Sequence, residues 1–151
     1  MFKFTIHLLL CVAVLPAQTP DLFKNCVPAS SSVEAPQICV LIPHDELLRY
    51  VTYYWLLAES VLQKPSNQLE PKYLNAVYNL TRVAVKDRDV KEKATFRLEF
   101  TTSRSNCLHP RQYSAVTCLP IDDKVNGLCQ AALHYRNGMF DIEQSWCKRM
   151  G

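Results

Sequence analysis

The cysteines constrain the fold of this chain more than any other residue type. Seven of them occur in 151 residues, which is many for so short a chain. Residues 1–17 favour export, because Lys3 precedes an apolar run centred on Leu8–Leu10 that ends at Pro16. This run is too short to cross a membrane. We therefore expect a signal peptide at residues 1–17 and a secreted, extracellular protein without a transmembrane segment.

Removal of the signal peptide would also remove Cys11 and leave an even number of cysteines. The six that remain are Cys26, Cys39, Cys107, Cys118, Cys129 and Cys147. An even number of cysteines in a secreted chain predicts a disulfide framework. We therefore expect three disulfides and no free thiol.

Residues 18–44 are predicted to form an irregular N-terminal extension. Cys26 and Cys39 bracket a polar run, Ser30–Ser32, and four prolines lie in the same region. The two cysteines either close a small loop or belong to a flexible arm with two incidental thiols. We favour the local disulfide, because exposed thiols become oxidised outside the cell.

Residues 45–151 have the pattern of an α+β domain. Apolar residues recur at three- and four-residue steps from Asp45 to about Lys64, which predicts a helix. About four strands follow, and residues 102–126 are predicted to be looser. The strands are expected near Tyr73–Val85, Thr95–Thr101, Leu128–Tyr135 and Met139–Cys147.

Three features of these strands can be predicted in more detail. In the first strand, strict alternation would place Val77 and Val83 on one face and Leu80 on the other. Between the first two strands, residues 86–93 carry seven charges in eight positions, which predicts a solvated hairpin turn. Asn79 begins the sequence Asn-Leu-Thr and is a predicted N-glycosylation site.

No pattern in the sequence predicts catalysis or metal binding. His44, His109 and His134 are scattered, without the paired spacing of a metal site, and no G-x-S-x-G element occurs. The formal net charge of +3 is too small to indicate nucleic-acid binding. We therefore expect a protein that is not an enzyme, has no catalytic residues, metal site or cofactor, and does not bind nucleic acid.

The last four cysteines form a spaced framework. Ten residues separate Cys107 from Cys118 and Cys118 from Cys129, and seventeen separate Cys129 from Cys147. Together with the helix and with the strands around Phe96–Phe100 and Phe140–Ile142, this framework resembles the secreted, disulfide-bonded cystatins and the related cathelin domain of cathelicidin precursors. The resemblance covers roughly residues 45–147.

The resemblance implies an α+β fold in which one long helix packs on a five-stranded antiparallel sheet. It also implies that Cys107 pairs with Cys118 and Cys129 with Cys147, which leaves Cys26 to pair with Cys39. The cystatin-like domain would then span residues 45–151. Only residues 148–151 follow the last cysteine, so no cationic peptide of the cathelicidin kind is expected.

The implied pairing of Cys129 with Cys147 raises a question of strand register. A two-residue turn at Asn137–Gly138 would place the apolar residues of both strands on the same face. It would also put Cys147 one position past the residue that pairs with Cys129. A bulge between Gln144 and Trp146 would correct this, and so would a three-residue turn, 137–139. We favour the bulge, because Asn-Gly strongly favours the tight turn.

Inhibitory cystatins plug papain-like proteases with three elements, and this chain departs from all three. The elements are a glycine near the mature N-terminus, a Gln-x-Val-x-Gly hairpin and a Pro-Trp pair in the last hairpin. Here no glycine precedes residue 127, only Val90 of the charged run matches the first hairpin motif, and Tyr135–Met139 holds neither proline nor tryptophan. The candidate binding loops contain Arg88, Asp89, Val90, Lys91, Arg136, Asn137 and Gly138.

These departures predict a secreted cystatin-like binding protein that has lost the papain-type inhibitory loops. We expect a monomer whose partner is another protein. The alternative is an active cysteine protease inhibitor that binds a papain-like cysteine protease through divergent loops.

Overall fold

A computed structural model describes residues 18–29, 38–86 and 93–151. Two α-helices, one short 3-10 turn (Pro65–Asn67) and six strands lie in these ranges. In chain order they are β1 Cys26–Val27, β2 Cys39–Leu41, α1 His44–Arg49, α2 Val51–Leu62, β3 Tyr73–Lys86, β4 Lys93–Leu108, β5 Pro120–Arg136 and β6 Met139–Arg149. The strands form one sheet in sequence order, antiparallel throughout except for the parallel pair β1–β2.

The helical region consists of two short helices, and the prediction of one long helix was wrong. The break lies at Tyr50, whose φ of −111° and ψ of 21° leave the helical range. Backbone hydrogen bonds still cross it, from the Tyr50 N–H to the Glu46 carbonyl and from the Tyr54 N–H to the Tyr50 carbonyl. The apolar periodicity therefore continues through the break, and the sequence pattern alone does not reveal it.

The sheet has six strands, so the expectation of five was also wrong. The additional strand is β1, in which Cys26 lies beside Cys39 in parallel register. A strand of two residues is too short to show a period-two pattern. Its position is secured by the disulfide between the same two cysteines.

Strands β4 and β5 extend well into residues 102–126, which were predicted to be loose. This part of β4 could not be predicted from the sequence pattern, because three of its polar residues are fully buried: Thr102, Ser103 and Ser105. Polar residues at core positions interrupt the hydrophobic alternation from which strands are predicted. The same burial makes this end of the sheet part of the folded domain.

The main core lies between α2 and one face of the sheet, here called the inner face. Val77, Leu80 and Val83 of β3 all belong to it, although strict alternation predicted Leu80 on the opposite face. Register shifts between residues 77 and 79 and between residues 80 and 82 each add one residue to β3 relative to β4. Because a bulge reverses the alternation, residues three apart can face the same side.

No helix in the described ranges is long and apolar enough to cross a membrane.

Candidate functional site

The two candidate binding loops meet at one end of the sheet, called here the hairpin end. Lys86, the last residue of β3, pairs with Thr95 of β4. Lys93 at the start of β4 pairs with Arg136, and Arg136 in turn pairs with Met139. The β3–β4 and β5–β6 hairpins therefore lie side by side. Arg88, Asp89, Val90 and Lys91 fall outside the described residues.

The β5–β6 hairpin has the two-residue turn that the sequence predicted. Asn137 and Gly138 both have positive φ, 50° and 80°, as a type I′ turn requires. The three predicted binding residues of this hairpin, Arg136, Asn137 and Gly138, are all exposed. Met139 is 68% exposed, so this hairpin presents one cation, one amide and one thioether to solvent.

The predicted bulge is present in β6, but its predicted position was wrong by one residue. The register shift lies between the pairs Leu133–Ile142 and Ala132–Gln144, so that the extra residue is Glu143. This position keeps Ile142 packed against the core. It also lets the Glu143 carboxylate reach the ring of His134, with 2.8 Å between Oε2 and Nε2.

The side chain of His134 on β5 contacts both neighbouring strands, β4 and β6, next to the hairpin end. Its Nδ1 lies 3.0 Å from the Thr95 hydroxyl, opposite the Glu143 contact. A hydroxyl, an imidazole and a carboxylate in this order are also the parts of a catalytic triad. Thr95, however, lies in an inner strand that pairs on both sides, with Lys86 and with His134. A catalytic triad also needs free backbone N–H groups that can bind an oxyanion. Here the backbone N–H groups near Thr95 take part in strand pairing, which supports a structural role for Thr95, His134 and Glu143.

Aromatic side chains support the hairpin end from the inner face. The Phe140 ring lies 4.9 Å from Tyr135 and 5.9 Å from both Tyr53 and Phe96, measured between ring centroids. Aromatic pairs at these distances stabilise a fold beyond their buried area. The cluster therefore fixes the start of α2 beneath the two hairpins.

The opposite face of the sheet, called here the outer face, is covered by residues 20–23, a segment we call the strap. The Leu22 N–H donates to Oε1 of Gln130 at 2.8 Å. The Gln130 amide donates back to Asp21 at 3.1 Å, and the Trp146 indole N–H donates to the Pro20 carbonyl at 2.9 Å. Strand residues on β5 and β6 therefore hold the strap across the sheet.

Charged residues beneath the strap extend this attachment. The Arg97 guanidinium donates to the Leu22 carbonyl, and the Arg82 guanidinium lies 4.4 Å from the centroid of the Phe23 ring. Arg82 also donates to Glu99 at 2.8 Å. The strap thus contacts the sheet through hydrogen bonds, a cation–π contact and the small cluster of Phe23, Cys39 and Ala84.

Glu99 is nearly buried, at 8% exposure, and is ionised at neutral pH. Burial raises the pKa of its carboxyl, but hydrogen bonds from Arg82, Gln130 and Thr81 outweigh burial and hold the pKa below its usual value. Sequence patterning missed this cluster, because alternating polar residues on β4 indicate a solvated face. No local signal in the sequence predicts that the strap covers it.

Three disulfides join the six cysteines of residues 18–151. They are Cys26–Cys39, Cys107–Cys118 and Cys129–Cys147, the pairs that the resemblance implies. Within the described ranges, no group of three or more histidine, cysteine, aspartate or glutamate side chains could hold a metal ion. Asn79 lies on β3 and is exposed.

Helix α2, the antiparallel strands β2–β6 and the disulfides together define a disulfide-bonded, cystatin-like fold. Solved structures of tick cystatins have the same fold. Mialostatin, a gut cystatin from the hard tick Ixodes ricinus, is 23% identical over 66% of this chain and 92% of its own, with a TM-score of 0.51. A salivary cystatin from the soft tick Ornithodoros moubata is 19% identical over 76% of this chain and 99% of its own, with a TM-score of 0.53.

No family model and no curated protein sequence matches this chain. At these identities, the likeness to the tick cystatins shows the fold alone. The fold does not determine the function, which depends on the residues at the site.

Proposed function

We propose that this chain is a secreted cystatin-like protein that binds a protein partner and does not use the three-part wedge of papain-type inhibitors. Residues 1–17 are its signal peptide in this proposal, and residues 18–44 are an N-terminal extension to the domain of residues 45–151. The observation that carries the proposal is the position of the strap, because the first part of the wedge is a free N-terminal segment.

The strap lies along the outer face of the sheet, and its Phe23 packs near Ala84, two residues before Lys86 at the hairpin end. It is attached at Gln130, six residues before Arg136 on the same strand, which corresponds to about 20 Å of extended chain. Its attachment to Trp146 and Arg97 holds it on the outer face. Residues 20–23 are therefore not available to enter a protease cleft beside the two hairpins.

The β5–β6 hairpin gives further support. Its turn is only two residues long and presents Arg136 where a Pro-Trp pair would supply apolar surface. Placing an unpaired charge in a dehydrated cleft is unfavourable by several kcal/mol. Residues 86–93 carry seven charges, so entry of the neighbouring β3–β4 hairpin into a dehydrated cleft would be unfavourable for the same reason.

A second candidate function is cysteine protease inhibition through divergent loops. It is favoured by the side-by-side arrangement of the two hairpins, which is a geometry suited to a two-loop wedge. In this case Arg136, Asn137 and Gly138 would contact the protease together with residues 88–91.

Titration of papain and of a lysosomal cathepsin with the mature protein distinguishes the two candidates. We expect both proteases to keep full activity at equimolar and tenfold excess protein, while an inhibitory cystatin in parallel abolishes it. Loss of activity at equimolar protein would overturn the proposal in favour of the second candidate.

A further inference from the structure

The outward side of the helices carries an apolar surface that shares no residue with the candidate hairpins or the strap. Leu48 of α1 is 55% exposed and Leu56 of α2 is 59% exposed. Thr52 and Leu56 share one face of α2 by their four-residue spacing. Leu48 lies four residues before Thr52 in α1, and the backbone hydrogen bonds that continue across Tyr50 keep the two helices in sequence. Large apolar side chains grouped on an exposed face mark interaction surfaces more often than isolated ones do.

A shallow depression of about 360 Å³ lies on this face. Its lining consists of Val51, Thr52, Trp55, Leu56 and Glu59. This volume is at the lower end of the range for ligand sites, about 300–1,000 Å³. The depression can therefore take one long side chain together with part of an apolar neighbour.

Glu59 supplies the negatively charged group of the depression. The Trp55 indole N–H donates to its Oε1 at 3.0 Å, but within the described part of the chain no lysine, arginine or histidine lies at ion-pair distance from it. Burial raises the pKa of Glu59, and the smaller effect of the Trp55 hydrogen bond lowers it. A partly dehydrated carboxylate without a cation is electrostatically incomplete.

A cation would complement both the Glu59 carboxylate and the Trp55 indole. A guanidinium or ammonium group can pair with the Glu59 carboxylate and lie against the face of the Trp55 indole. Leu48 and Leu56 extend the contact surface along the helices with apolar side chains. The surface therefore fits a segment that combines a basic residue with apolar residues at helical spacing.

We propose that the exposed face formed by Leu48, Thr52, Trp55, Leu56 and Glu59 docks a basic amphipathic helix of a protein partner. An arginine or lysine of that helix pairs with Glu59 and stacks on Trp55, and its apolar side chains cover Leu48 and Leu56. This mode is the packing of an amphipathic helix into a groove. The surface shares no residue with the two candidate hairpins or with the strap, so this proposal can be wrong while the proposed function is right, and the reverse.

The test uses a synthetic amphipathic helix of leucine and arginine, with a twin that carries glutamate in place of each arginine. The chain has two tryptophans, and their indole N–H signals in NMR spectra report on the two faces separately. We expect saturable movement of the Trp55 signal with the arginine peptide, no movement with the glutamate peptide, and no movement of the Trp146 signal.

Two variants and one control locate the contact. Glu59→Gln removes the charge with little change in shape and should weaken binding of the arginine peptide at least about tenfold, as should Leu56→Ser. Asp123→Asn removes an exposed carboxylate on β5 and should leave binding unchanged. Dispersed NMR spectra of each variant establish that it is folded.

Three results would overturn the proposal. The first is failure of the arginine peptide to move the Trp55 signal. The second is unchanged affinity in Glu59→Gln. The third is movement of the Trp55 signal with protein concentration in the absence of peptide, which would assign this face to a second copy of the chain.

Discussion

Cys129 lies directly opposite Cys147 in the β5–β6 ladder, although the two-residue turn alone would place it opposite Trp146. Glu143 accounts for the difference. The ladder passes from the Leu133–Ile142 pair to the Ala132–Gln144 pair, so that no residue of β5 lies opposite Glu143. One extra residue in β6 thus reconciles the tight Asn137–Gly138 turn with the disulfide. The inward packing of Ile142 is kept at the same time.

Deletion of Glu143 should therefore be tolerated. Every other pair of the ladder keeps its partner when the extra residue is removed, so we expect all three disulfides to form and the free energy of unfolding to change by less than about 1 kcal/mol. Thiol titration of the denatured variant and chemical denaturation measure the two quantities. Glu143→Ala is the matched control, because it keeps the bulge and removes only the exposed ion pair with His134. Two free thiols in the deletion variant would contradict the register described here.

Replacement of Gln130 should loosen the strap. Gln130→Ala leaves the Leu22 N–H without its hydrogen-bond partner and removes one of the two hydrogen bonds that Glu99 Oε2 accepts, the other coming from Arg82. We expect a loss of about 1–3 kcal/mol of stability. Amide hydrogen exchange at Leu22 should become faster. The exposed Gln144 on β6 supplies the control, since Gln144→Ala should change stability by less than about 0.5 kcal/mol. Unchanged exchange at Leu22 would mean that other contacts hold the strap.

Glu99 should make the protein sensitive to acid. Burial raises the pKa of its carboxyl, but hydrogen bonds from Arg82, Gln130 and Thr81 outweigh burial and lower that pKa in the folded state relative to the unfolded chain. Its stabilising contribution is therefore present above the unfolded pKa and is lost as the pH falls through the folded-state pKa. Denaturation curves between about pH 6 and pH 2 should show a steeper loss of stability for the native chain than for Glu99→Gln. Equal slopes for both proteins would show that the Arg82–Glu99–Gln130 cluster does not carry this effect.

Asn79 should carry an N-linked glycan when the protein is made by secreting eukaryotic cells. It is exposed on β3, and Thr81 completes the acceptor sequence. A mass shift on treatment with an N-glycosidase would confirm it, and Asn79→Gln should abolish the shift. Thr81→Ser is the informative control, since it preserves both the acceptor sequence and a hydroxyl that can donate to Glu99, as Thr81 does at 2.8 Å. An unchanged mass for the native chain would contradict the prediction.

The sequence predicted those parts of the fold that depend on local patterns. Apolar spacing located α2 and most of the strands, and Asn137–Gly138 predicted the tight turn because both residues tolerate positive φ. The bulge in β6 could be predicted from the conflict between that turn and the disulfide. Its position could not, because the pairing of Glu143 with His134 depends on side chains from two strands.

Features that depend on distant contacts were not predictable in this way. Tyr50 interrupts the helix without a glycine or proline to mark the break. The strap depends on Gln130 and Trp146, which are polar or amphipathic residues that could equally face solvent. For the candidate site, the sequence identified the β5–β6 turn but not the covering of the outer face, which is the observation on which the proposed function rests.

Direct binding to a papain-like protease is the most sensitive measurement of protease recognition by this chain, because it detects a complex whether or not activity is lost. Papain with its catalytic cysteine chemically blocked is mixed with the mature protein at equimolar ratio and analysed by sedimentation velocity, with an inhibitory cystatin as the positive control. The position of the strap and the charged hairpin end predict two separate species and no complex. A stable one-to-one complex would overturn the proposed function and establish protease binding through divergent loops.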